Sequence, residues 1–133
     1  MRIHSEVAGE GPGIVLLHEG ICDSRMWDTQ WETFTRSHRV LRLDFRGYGR
    51  SPIEPGPYSS ARDVIETMDR HGFERAALVG EEDVPDIQSI AERLAREIPG
   101  SRRATIANTA HVPSMERPRE FEELVLGFID EAA

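Results

Sequence analysis

Cysteine is almost missing from this chain. Cys22 stands alone among 133 residues, so no disulfide can close within the molecule. No segment approaches the ~20 consecutive apolar residues that a membrane-spanning helix needs. The opening "MRIHSEVAGE" carries no apolar run of the secretory-leader kind. These absences make a soluble, cytoplasmic protein the expectation, with no membrane partner. Basic charge is also short: 16 Lys and Arg face 24 Asp and Glu, a net charge of -8. A nucleic-acid partner requires a basic footprint, so none is expected. Arg36 to Arg42 and the Arg102–Arg103 pair are broken by other residues and read as solvated surface. His4, His18, His38, His71 and His111 form no H-x-x-x-H pair, and no calcium-loop spacing occurs. Neither G-x-G-x-x-G nor the P-loop pattern is present, so the "GYG" at 47–49 is no phosphate cradle. No metal and no cofactor are expected.

What is present is an ordinary globular balance, with enough chain to bury a core as one domain over 1–133. "RIHSEVA" (2–8) alternates like an edge strand. "IVLLH" (14–18) is short and continuously apolar, which suits a strand covered on both faces. Trp27, Trp31 and Phe34 share one face of a helix that Asp23 or Ser24 would cap. "HRVLRLDF" (38–45) is strand-like, and 46–58 is a loop dense in Gly and Pro. Ser60 and Asp63 have capping-box spacing at the start of a helix whose stripe is Ala61, Val64, Ile65 and Met68. Gly72 ends that helix. "RAALVG" (75–80) is another apolar strand, Pro85–Asp86 opens a further helix, and "RATIAN" (103–108) is the last strand. Pro118 opens a final helix with Phe121, Leu124, Val125, Phe128 and Ile129 on one face. Strands alternating with helices predict a mostly parallel sheet covered by helices.

Five pieces in order, "IVLLHEG", "DSRMWDTQ", "DFRGYGRSP", "VGEEDVPDI" and "HVPSMERPREF", resemble the α/β-hydrolase family of serine hydrolases. The resemblance implies a reduced three-layer α/β sandwich of about five strands. In chain numbering its order would be 1-3-2-4-5, with strand 1 antiparallel. It implies Asp83 as triad acid and His111 as triad base, the acid orienting the imidazole. Gly20 and Ile21 fall where the family places half of its oxyanion hole, and either amide could face the developing charge. Asp44 and Arg46 would brace the 46–51 loop, and Ser51 is not placed as a nucleophile.

The nucleophile is what the resemblance fails to supply. No G-x-S-x-G occurs. After "ALVG" the serine's place holds Glu82 and the second glycine's place holds Val84, a β-branched residue where positive φ is disfavoured. "RAALVG" reads as the nucleophile strand, and "VGEEDVPDI" as the turn of a later strand that carries the acid. An in-frame loss joining the two near 79–81 accounts for both, with the elbow and cap region absent. Three readings follow: a catalytically impaired remnant of a hydrolase of small ester-like molecules, an enzyme with a substitute nucleophile at Cys22 or Ser24, and a non-catalytic module that binds or dimerises. Apolar surface bared by the missing parts would favour a homodimer.

Overall fold

The computed structural model describes residues 2–80, 92, 93, 96 and 117–132. Strand β2 (Gly13–Leu17) lies inside the sheet, and its alternate residues serve two separate cores. Val15 and Leu17 point to one side, Ile14 and Leu16 to the other. A strand covered on both faces has no polar side, which is why "IVLL" shows no alternation. Burying each of these side chains contributes about 1.5–3 kcal/mol.

The other strands are β1 (Ser5–Ala8), β3 (Arg39–Leu43) and β4 (Ala77–Gly80). The sheet order is β1-β3-β2-β4. β1 runs antiparallel to β3, while β3, β2 and β4 are mutually parallel. This reproduces the expected 1-3-2-4 arrangement and the antiparallel first strand. The described residues therefore carry four strands rather than about five. The expected strand at 103–108 and the helix opening at Pro85–Asp86 lie outside them.

Helices cover both faces, giving three layers. On one side α2 (Ser60–Arg70) packs Ala61, Val64 and Met68 against Val15, Leu17, Leu41 and Leu43. On the other, a 3-10 turn (Ser24–Trp27), α1 (Asp28–Phe34) and α3 (Pro118–Ala132) enclose Ile14, Leu16, Val40 and Val79. Trp27 and Phe121 meet there with ring centroids 5.8 Å apart. Arg42 sits on this second face of β3. Its guanidinium lies 4.5 Å from the Trp31 ring centroid and pairs with Glu6 at 2.7 Å and Asp28 at 2.6 Å. A charged residue in a strand is tolerated because both its charge and its stem find partners.

Three local expectations need correction. The first helix is split, with a 3-10 turn running into α1, although Asp23, one of its two expected caps, does cap the 3-10 turn by accepting the Arg25 amide. Leu124 is 54% exposed, because α3 buries the narrower 121, 125, 129 stripe. The cap of α2 is Ser59, whose hydroxyl accepts the Arg62 amide at 3.2 Å, and no Ser60–Asp63 capping box forms. Asp63 instead holds Arg46. Ser59→Ala should therefore cost about 1 kcal/mol in urea unfolding, with Ser60→Ala nearly neutral. The reverse order would refute this assignment of the cap.

Candidate functional site

The parallel strands end side by side, since Leu17 pairs with Leu43 across one junction and with Gly80 across the other. In an open α/β sheet, that carboxyl edge is where ligands sit. The loops leaving β2 and β3 are built there in detail.

His18 follows β2 and is fully buried. Its Nε2 accepts the Phe45 amide at 2.9 Å, so Nδ1 carries the proton and donates to the Glu19 carbonyl at 2.7 Å. The neutral ring thus ties the β2 exit to the β3 exit. Burial pushes its pKa down, against the opposing pull of the Glu19 carbonyl and the Asp44 and Asp23 charges. The rings of Phe45 and Tyr48 flank it at 4.9 and 5.3 Å. His18 does positioning work that sequence reading missed. The only signal was its place at the end of an apolar strand.

Next, the Cys22 amide donates to the Glu19 carbonyl at 3.2 Å and closes a turn with Gly20 and Ile21 at its corners. That leaves the amides of Gly20 and Ile21 outside the turn's own hydrogen bond. The Ile21 side chain is 82% exposed, while Glu19 is fully buried. The Cys22 thiol donates to Glu19 Oε1 at 3.6 Å.

Asp44 links this loop to the next. It is 2% exposed, and its Oδ1 accepts the Ser24 amide at 2.7 Å while Oδ2 accepts the Arg50 amide at 3.0 Å. A Cβ at Gly49 would collide with this carboxylate, and Gly49 also holds φ +50. Ser51 donates to the Asp44 carbonyl at 2.6 Å and accepts the His4 amide at 2.8 Å, so its hydroxyl is structural. Arg46 does not pair with Asp44. It reaches α2 and grips Asp63 through two bonds of 2.7 and 2.9 Å, beneath Tyr58. Both expected braces therefore exist, with Asp44 acting on backbone amides and Arg46 on the helix.

Asp83 and His111 lie outside the described residues. Among the described residues, no group of three His, Cys, Asp or Glu side chains is placed to hold a metal ion. No described helix is long and apolar enough to cross a membrane.

No protein-family model matches the chain. Curated relatives do. The RutD protein of Caulobacter segnis is 38% identical over 76 residues, covering 53% of this chain and 28% of that protein. The 2-hydroxy-6-oxo-6-phenylhexa-2,4-dienoate hydrolase of Comamonas testosteroni is 33% identical over 86 residues, covering 59% of this chain and 30% of the enzyme. The chain thus spans about a third or less of the length of these relatives. Among solved structures, an N-acyl homoserine lactone degrading enzyme superposes with TM-score 0.66 at 32% identity, covering 73% of this chain and 38% of that one. The fold is α/β-hydrolase-like, related to hydrolases and esterases, and smaller than their full core.

Proposed function

We propose that this chain is the remnant of a serine hydrolase of small ester-like molecules, keeping loops that would hold an acyl group and lacking the residue that would attack it. One observation carries the reading. β4 lies in register beside β2, Leu17 against Gly80, yet the sequence leaving it is Glu81-Glu82-Asp83-Val84 with no serine. The relatives support the substrate class, since hydrolases and a lactone-degrading enzyme share the fold. In this reading Asp83 and His111 remain a hydrogen-bonded acid–base pair without a nucleophile to serve, and Gly20 or Ile21 is a surviving oxyanion donor.

The residues best placed for rescue are poor candidates. Ser24 is buried, and its amide donates to Asp44 at 2.7 Å. The Cys22 thiol already donates to Glu19 Oε1 at 3.6 Å, and it stands in the loop that would hold the carbonyl oxygen, not where the carbon would be attacked. Treatment with a fluorophosphonate probe, followed by peptide mapping, should leave the chain unlabelled. Stoichiometric labelling at Ser24, or a covalent acyl adduct on Cys22 from an activated ester, would overturn the proposal.

A dimerising role draws on a separate observation. Ile21 and Ile53 project from the β2 and β3 exit loops with 82% and 64% of their surface exposed. Exposed apolar groups gathered at one edge favour self-pairing. Sedimentation should show mass rising with concentration, and a monomer of 15.0 kDa throughout would refute it.

A further inference from the structure

We propose that a recess between β1 and the C-terminal end of α2 binds a small phosphate-type oxyanion. The recess is open, about 380 Å³ in volume, and is lined by Arg2, His4, Arg50, Arg70 and His71 around Ser5. The chain as a whole carries a net charge of -8, so this local run of cations is against the trend. No carboxylate lines the recess among the described residues. Glu6, 3.4 Å from His4, is held by Arg42 at 2.7 Å.

Arg70 and His71 are held in place. Arg70 donates through Nη2 to the Ile3 carbonyl at 3.3 Å and to Ser5 Oγ at 3.0 Å. Ser5 Oγ in turn lies 2.9 Å from His71 Nε2. Those bonds use one of the three Arg70 nitrogens, so donors remain for a ligand. On the far side of His71, Arg39 donates to its carbonyl at 2.6 Å and stacks over Phe73.

The positive charges around the recess repel one another. Burial lowers the His71 pKa, and the positive charges of Arg70, Arg39 and Arg2 lower it further. Arg70 is depressed by burial and then by Arg2. An anion placed among them relieves this repulsion. Guanidinium forks match both carboxylate and phosphate oxygens. Arg2, Arg50 and Arg70 on one recess outnumber the single charge of a carboxylate, and a tetrahedral dianion answers more of them at once.

The test uses the whole chain and inorganic phosphate. Imidazole and amide NMR signals are followed while phosphate replaces chloride at constant ionic strength. The His71 and Arg70 signals should shift saturably, and the His71 pKa should rise when phosphate is bound, because binding and protonation favour each other. Arg50→Gln and Arg2→Gln should each weaken binding about tenfold, the loss of one charge-assisted contact. Neither side chain makes a described hydrogen bond or ion pair, so both variants should keep the parent melting temperature. Arg70→Gln is a poorer probe because Arg70 also holds β1. Shifts that grow linearly without saturating would overturn the proposal. So would unchanged affinity in both variants, or binding of acetate or an acidic peptide as tight as that of phosphate.

Discussion

Asp44→Ala should lower stability by about 3–5 kcal/mol, because it strips the acceptor from two backbone donors and frees two loops together. The Asp44 carboxylate is almost wholly buried and joins the Ser24 amide to the Arg50 amide. Burial raises its pKa, but the amides of Arg50 and Ser24 and the Ser24 hydroxyl outweigh burial, and the net shift is downward. A folded-state pKa below the unfolded one means that the ionised group stabilises the fold above the unfolded value near 4. That contribution is lost as pH falls through the lower folded value. Asp44→Asn keeps one acceptor oxygen and turns an amide toward the other donor, so its loss should be smaller and should lack the acid-limb dependence. Urea unfolding at neutral pH and along an acid series measures all three proteins. A loss under about 1 kcal/mol for Asp44→Ala would show that the two loops hold their places without it.

The sheet was legible because its signals are local. "IVLL" is apolar at every position, and only a doubly covered strand has that need. The antiparallel first strand and the β3 neighbour followed from the resemblance, and the register confirms both. Boundaries were harder. Ser59 and Ser60 are both good caps by type, and the choice falls to backbone geometry, since Ser59 is extended with φ -128 and ψ 119. Asp63 looked like a capping-box partner because the spacing is right, but an arginine from a distant loop has claimed it. No spacing rule could announce that contact.

The site was legible only where a glycine or an acid had one job. "DFRGYGRSP" implied a braced loop, and the bracing is real, but its partners are long-range: Ser24 lies 20 residues before Asp44 in the chain. In the sequence, His18 is the end of an apolar strand and Glu19 the residue after it. The burial of His18 depends on how the β2 and β3 exit loops fold together, which is a tertiary fact. Glu19 matters chemically. If the loop receives an oxyanion, as proposed, a buried carboxyl group within it opposes that charge whenever it is ionised.

That opposition bears on turnover. Hydrolysis of an activated aryl ester should run no more than roughly tenfold to a hundredfold above buffer, and His111→Ala should leave the rate within about twofold. Removing the serine from an intact triad costs on the order of 10⁶ in kcat, and what survives, about 10³–10⁴ over water, comes from binding and the oxyanion hole. One missing oxyanion donor removes a further 10²–10³. If the chain is the proposed remnant, the donor that follows the nucleophile has gone with it, so only a Gly20 or Ile21 amide is left to act. The imidazole of His111 would have no hydroxyl to deprotonate, which is why its removal should not matter. Initial rates with a p-nitrophenyl ester, measured for the parent chain, for His111→Ala and for Cys22→Ala, separate the cases. A kcat near the ordinary enzymatic value of about 10 s⁻¹, abolished in His111→Ala, would mean that a nucleophile is present after all. The same rate abolished in Cys22→Ala would locate it at the thiol beside Glu19.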